Sequence, residues 1–463
     1  MVDPDGERYH TKEYGLKAYD AMRAIVADHD DPLGVDADGR FWAYAGGVWS
    51  LGQRIVDARI ARTLGQRYRP QAQRSIEHLL RVELPVVEAM PVPNYVNLLD
   101  GMLRWDAPGG PALLEHHPEY VSTVQLPVSW DPDARCDAFD AFLEASVPAD
   151  DRQRVWEMLG YLMMSGNPLQ RLFLLYGGGG NGKGVLLHVI KHLLGPGNTS
   201  AVPLHEFAES QFATAELFGK LANICGDIDA TFIEHTGRIK EMAGEDQMKG
   251  ERKFGQPFYF EFWGKAIFSA NGIPAAADSS HGWVRRWEVV GFPYEPALPD
   301  RRLKARLVEP ESLQGIARKA IEALRVLMDR GDFDRGETAR QSHREFAHKS
   351  NRILLWIDDE MIQDGTTWHN RVNLLRSYRM WDARESPSSR AMSAQTFYER
   401  LRQIKGLRPA KRRGENGFVG LGYPADGFTL DLTGDDPSPS DPPVPLPHAD
   451  PPAQIEIDFE GEG

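Results

Sequence analysis

Three short apolar runs, RLFLLYG, KLANICGD and KAIFSAN, set the pattern of the middle of the chain. Each ends in a small or polar residue, and helical or hairpin material separates them. Runs that are apolar throughout, rather than alternating, predict strands buried on both faces of a parallel α/β sheet with functional residues at the strand ends. Just before them, DDRQRVWEMLGYLMMSG (150–166) has helical apolar spacing behind an acidic start that reads as a helix cap. Further upstream, FWAYAGGVWSLG (41–52) predicts two short strands around a glycine turn, and RQRYRPQAQRSIEHLLRVELP divides into a basic segment and a helical one.

From about Pro310 the pattern turns helical. Beyond Phe346, ILLWIDDEMI and VNLLRSYRMWDARE precede SAQTFYERLRQIKG, a basic turn RPAKRRGENG and the apolar FVGLGY, which predicts helix, helix and hairpin wing. The last forty or so residues, rich in Pro, Asp and Gly, bury too little apolar area to fold. The expected organisation is an α+β region over 1–145, an α/β domain over 146–310, a helical and winged-helix-like domain over 311–425 and an acidic, Pro-rich tail over 426–463. No internal repeat is evident.

The 463 residues suffice for two or three domains. No apolar run approaches a membrane span, and the polar start MVDPDGERYHTKEYG is not a secretory leader. With only Cys136 and Cys225, far apart, a disulfide framework is not expected and a cytoplasmic setting is. The net charge of −14 belongs mostly to the tail, which has ten acidic side chains from Asp426 onward and no Lys or Arg. The remainder has 53 basic and 57 acidic residues, so a positive patch and a nucleic-acid partner stay open.

Chemistry enters at YGGGGNGKGVLLHVI (176–190), where Gly177, Gly182 and Lys183 fit GxxxxGK between an apolar strand and a helix. In such a loop the backbone N–H groups of Gly177, Gly178, Gly179, Gly180, Asn181, Gly182, Lys183, Gly184 and Val185 face phosphate oxygens, aided by the helix start. Lys183 neutralises the β and γ phosphates. Gly184 stands where a magnesium-holding hydroxyl is usual, so Mg²⁺ would rest on phosphates, waters and an acid elsewhere. LANICGDIDA supplies that acid, Asp227 first and Asp229 as helper, both on one side if the strand runs through them. Asn271 ends KAIFSAN, where an amide would meet the γ-phosphate or the attacking water; Asn before Gly-Ile-Pro is also a turn former. In HGWVRRWEVVGFP, Arg285 and Arg286 suit either a trans-acting arginine or structural salt bridges.

Taken in this order, the elements resemble the superfamily-three helicases, and within them the phage and plasmid primase family with its poxvirus primase-helicase-like ATPase. GGGGNGKG is similar to the family's Walker A motif, KLANICGDID to Walker B, IFSAN to the third motif and VRRWEVVGFP to the arginine segment. IKEMAGEDQMKGERKFG resembles its B-prime motif, and EHHPEYVSTVQLPVSWDPDARCDAFDAFL the region ahead of the ATPase. The resemblance covers about residues 80–425. It implies a P-loop, AAA+-like α/β ATPase core assembled as a homo-hexameric ring, with ATP and Mg²⁺ between subunits and single-stranded DNA in the channel.

On this chain the resemblance gives Lys183 the phosphates, Asp227 the metal, Asn271 the γ-phosphate, and Arg286 or Arg285 the neighbour's site. Lys249, Arg252 and Lys253 would touch the DNA backbone from a hairpin. The departures are Gly184, Asp227 in place of a common Glu, and Glu251 in place of a common Arg. No primase acid pair is found upstream, so the reading is a helicase without its own primase, which leaves room for a separate primase and polymerase. The C-terminal stretch resembles the family's winged helix, with Arg408, Lys411, Arg412 and Arg413 as DNA contacts; a solvated charged face fits those four equally.

The expectation is therefore an ATP-driven helicase on single-stranded and forked DNA, replicating phage, prophage or plasmid DNA in a bacterial host. An origin-melting ATPase and a nucleotide-dependent initiator scaffold remain open. A metabolic P-loop kinase leaves the basic hairpin unexplained.

Overall fold

The computed structural model describes residues 10–11, 15–27, 31–88, 92–226, 228, 233, 236–244, 246–253, 255–274, 276, 281–295, 300–385 and 392–423. The N-terminal part begins with the short pair β1 (His10–Thr11) and β2 (Gly15–Leu16) and helix α1 (Ala18–Val26). An antiparallel sheet follows, β3 (Leu33–Val35), β4 (Phe41–Ala45) and β5 (Val48–Leu51), with helices α2 (Gln53–Leu64) and α3 (Pro70–Glu83). The glycine turn expected within 41–52 is the β4–β5 hairpin, with Gly46 and Gly47 both at positive φ, as a tight hairpin turn requires. A second antiparallel sheet comprises β6 (Tyr95–Leu98), β7 (Gly101–Arg104) and β8 (Ala112–Leu114).

Helices α4 (Asp137–Ser146) and α5 (Arg152–Met163) lead to β9 (Leu172–Tyr176), α6 (Lys183–Leu194), β10 (Thr199–Ser200), α7 (Leu204–Glu209), α8 (Gln211–Ala215) and β11 (Ala222–Cys225). Next come α9 (Gly237–Gly244), the antiparallel pair β12 (Gln247–Gly250) and β13 (Phe258–Glu261), β14 (Lys265–Ala270), α10 (His281–Val284) and β15 (Trp287–Gly291). Five strands form one wholly parallel sheet in the order β10-β11-β14-β9-β15. The three apolar runs are its three central strands. Alternate residues of β9 enter different cores, Phe173 and Leu175 on one face and Leu172 and Leu174 on the other, which is why the run is apolar throughout.

Helices α11 (Leu303–Leu307), α12 (Pro310–Arg330) and α13 (Glu337–Lys349) follow. Helix α12 starts at Pro310, where proline's missing N–H goes unneeded. The C-terminal elements are α14 (Arg352–Glu360), β16 (Trp368–Asn370), α15 (Arg371–Glu385), α16 (Ala394–Leu401), β17 (Arg408–Arg412) and β18 (Glu415–Val419), around a core of their own. Among the described residues no helix is long and apolar enough to cross a membrane, and both cysteines are free.

Two local expectations are corrected. The acidic start DD does not cap α5: Asp151 sits at its N-cap but forms no capping bond, its carboxylate instead gripping Arg154 at 2.7 and 2.8 Å. Asp150 caps a distant helix, accepting from the backbone N–H of Thr338 at 2.9 Å and its hydroxyl at 2.7 Å, at the start of α13. In RPAKRRGENG the first five residues are strand, and the turn is confined to Arg413 and Gly414, at φ 50° and 87°.

Candidate functional site

The glycine loop leaves β9 at Tyr176 and enters α6 at Lys183. Its base is fastened to β15: the N–H of Phe292 donates to the Tyr176 carbonyl at 2.8 Å, and the Asn181 amide donates to the Phe292 carbonyl. Gly177 at φ 146° passes so close to this base that a side-chain Cβ would fall 2.4 Å from the Phe292 oxygen. Gly182, at φ 102°, is the residue from which α6 starts. Gly178, Gly179 and Gly180 form an exposed tip, while Asn181 is buried beneath it. The helix start and the lysine together favour an anion in the loop.

Lys183 is 5% exposed and turned back into the loop. Its Nζ donates to the carbonyls of Gly177 and Gly178, each at 2.7 Å, to Asn181 Oδ1 at 3.1 Å and to Asn271 Oδ1 at 3.3 Å. The last bond joins two residues singled out from separate motifs, because β14, which ends just before Asn271, is the neighbour of β9. Gly184 is exposed, and a Cβ added there would meet nothing within 4 Å. Val185 packs half-buried against the first core.

Asp227 and Asp229 lie outside the described residues. Strand β11 ends at Cys225, and the N–H of Ile228 donates to the Ser269 carbonyl at 2.9 Å. Gly226 also lies against Ser269, so Gly226 and Ile228 are both beside the tip of β14. Among the described residues no cluster of three His, Cys, Asp or Glu side chains is arranged to hold a metal.

Arg285 and Arg286 precede β15, whose first residue Trp287 pairs with Leu172, the first of β9. Both are thus at the end of the sheet opposite the glycine loop of their own chain, where the parallel strands begin. Arg285 donates to Gln170 Oε1 at 3.1 Å, and Arg286 to the Gly282 carbonyl. A buried ion network that the sequence did not announce underlies this end. Glu288, on β15 and 1% exposed, pairs with Arg154 at 3.3 Å, Arg171 at 3.3 Å and Arg335 at 2.9 Å. Arg171 also holds Asp332 at 2.7 Å and donates to the Arg285 carbonyl. Burial alone would raise the Asp332 carboxyl, but the Arg171 hydrogen bond and charge hold it below the ordinary carboxylate value.

Lys249 is exposed on β12, and Arg252 and Lys253 are exposed in the turn to β13. The Arg252 guanidinium lies over the rings of Phe258 at 5.5 Å and Phe218 at 6.0 Å. Arg408, Lys411 and Arg412 project from β17 and are all exposed, with Arg413 in the following turn. Strand β17 pairs with β18 in the three-stranded sheet β16-β18-β17.

The profile of a family of unknown function, DUF5906, matches residues 175–286, about a quarter of the chain, from the end of β9 to Arg286. No curated protein matches. Three solved structures of the apo NrS-1 C-terminal region are similar to this chain, with TM-scores of 0.44, 0.48 and 0.45, each at 10% sequence identity. Each covers 87% of this chain, and 98%, 99% and 98% of its own. A likeness of that degree leaves the function to be argued from the site itself.

Proposed function

We propose that this chain is an ATP hydrolase working on DNA, a helicase of the superfamily-three type that serves replication of phage, prophage or plasmid DNA. The observation that carries the reading is the bond between Lys183 and Asn271, made at the tips of adjacent parallel strands around a glycine loop. In this reading the loop is a phosphate loop. Lys183 exchanges the carbonyls of Gly177 and Gly178 for β- and γ-phosphate oxygens, and the loop N–H groups hold the rest. Asn271, released from the lysine, orients the γ-phosphate or the attacking water. Mg²⁺, when bound, neutralises charge on the phosphates; Asp227 is its candidate protein ligand, and Gly184 offers none.

Arg285 and Arg286, at the opposite end of the strands from the loop, would serve a neighbouring subunit's nucleotide, which agrees with a homo-hexameric ring. Lys249, Arg252 and Lys253 would follow a DNA strand through sequence-independent phosphate contacts. The order helix, strand, helix, helix, hairpin from α14 to β18 supports a winged-helix reading, with Arg408, Lys411, Arg412 and Arg413 on DNA.

The test is steady-state ATP hydrolysis with Mg²⁺, with and without single-stranded DNA, beside Lys183→Ala. Stimulation by DNA, lost in the variant, is expected. A second reading, an initiator that uses nucleotide for assembly, is favoured by the missing hydroxyl at Gly184. It predicts ATP binding and ATP-dependent assembly without turnover.

A further inference from the structure

A groove of about 1200 Å³ opens between the N-terminal strands and the β12–β13 hairpin. That exceeds the roughly 300–1,000 Å³ of a small-molecule site, so an extended ligand suits it better. Part of the lining is β4–β5, with Trp49 and Leu51; another part is α8 and the turn after it, with Phe212 and Phe218. The hairpin turn adds Arg252 and Lys253. Phe212 is 52% exposed and Leu51 50%, two large apolar side chains of the lining left to water.

Two arginines from different parts of the chain approach one ring. Arg40, from the N-terminal part, lies 4.9 Å from the centroid of Phe218, and Arg252 approaches that ring from the hairpin at 6.0 Å. The lining has Lys220, Arg252 and Lys253 against Glu216 and Glu251, a net excess of one positive charge. Aromatic faces interleaved with cations match unpaired bases on a phosphate backbone; paired bases offer no free face to stack.

We propose that this groove binds single-stranded DNA, with bases against Phe212 and the backbone against Arg252 and Lys253, so that the N-terminal part takes part in gripping the strand. The inference rests on the reading that the chain acts on DNA, and it extends the strand's path from the hairpin onto the N-terminal part. The hairpin does not present Arg252 as a free tip: it turns the guanidinium onto the chain's own rings, at the mouth of this groove.

The test is fluorescence anisotropy of the full chain with fluorescein-labelled oligo(dT), without nucleotide. Phe212→Ala is expected to weaken binding at least about fivefold, the low end for one stacked base, and Phe212→Trp to retain it. Arg252→Gln, at an exposed position, is expected to lower both affinity and salt dependence, the latter by about one phosphate contact. Iodouracil-substituted oligomer should crosslink to peptides spanning 41–51 or 212–218. Wild-type affinity in Phe212→Ala and Arg252→Gln, equal binding of a blunt duplex, or crosslinks confined to other segments would overturn the proposal.

A fluorescent ATP analogue, titrated separately, distinguishes the two readings. Analogue bound but oligo(dT) not bound sinks the groove alone. Oligo(dT) bound through Phe212 with no analogue binding sinks the nucleotide reading alone.

Discussion

Gly184→Ser adds a hydroxyl to the glycine loop at a position with open space around it. The residue is the second of α6, and its added Cβ meets nothing within 4 Å, so no neighbour has to move. Replacing glycine in a helix by serine gains about 0.5 kcal/mol from propensity. At about 2–4 °C per kcal/mol for a domain of this kind, melting should rise about 1–2 °C. Two residues earlier the same substitution has the opposite sign. Gly182 is at φ 102°, and a Cβ there falls 2.9 Å from Ser146 Oγ and 3.0 Å from a Phe142 ring carbon. Strain of about 1–3 kcal/mol and overpacking of similar size should lower melting of Gly182→Ser by at least about 4 °C.

If the loop holds nucleotide with Mg²⁺, the new hydroxyl replaces one water on the ion. The half-saturating Mg²⁺ concentration for ATP hydrolysis should then fall about threefold to tenfold, ~0.7–1.4 kcal/mol. Differential scanning fluorimetry and a Mg²⁺ titration of turnover read the two effects separately. A lower melting temperature in Gly184→Ser would refute the open space. A raised melting temperature with an unchanged Mg²⁺ titration would refute the assignment of the position to the ion.

Three further outcomes follow from neighbouring features. Glu288→Ala leaves Arg154 buried without one of its carboxylates, and should lose about 3–5 kcal/mol in urea denaturation; a loss below about 1 kcal/mol would mean the network is not what holds that end of the sheet. Asp150→Ala removes the cap of α13 and should lose about 1 kcal/mol in the same assay, with Asp150→Asn keeping most of it. His343 is held below the ordinary imidazole value first by burial and then by the Arg335 charge, and burial also lowers His188 and His369. The unfolded chain takes up these protons near pH 6.5 while the folded chain resists them, so stability is full above about pH 6.5 and declines below it. Melting temperatures from about pH 7.5 to 5.5 should record that decline, and His343→Gln should shrink it.

The central sheet was legible because RLFLLYG, KLANICGD and KAIFSAN are buried on both faces, and burial on both faces leaves a continuous apolar run. The β4–β5 hairpin was legible because its glycines supply the only backbone conformations that such a turn accepts. Asp150 was not, since a cap is chosen by whichever helix start lies within reach in space, and the partner Thr338 is 188 residues away. Glu288 reads as an ordinary polar residue inside WEVVG; only the meeting of Arg154, Arg171 and Arg335 makes it a buried charge. At the loop, the lysine and glycines could be picked out by spacing, and so could Asn271. That Lys183 is occupied by its own loop's carbonyls depends on backbone geometry that spacing does not encode.

The order β10-β11-β14-β9-β15 also sets when the loop is born. Strand β9 is made first of the five, yet both of its partners come later: Leu172 pairs with Ala266 and with Trp287. At translation rates of about 5–20 residues per second, LFLLY waits roughly 5–20 s after synthesis before either partner exists. Until then an apolar strand with two open edges is exposed to chaperones and to other nascent chains. A ribosome-bound chain stalled before β14 should therefore be protease-sensitive around Tyr176, whatever the finished protein does with nucleotide.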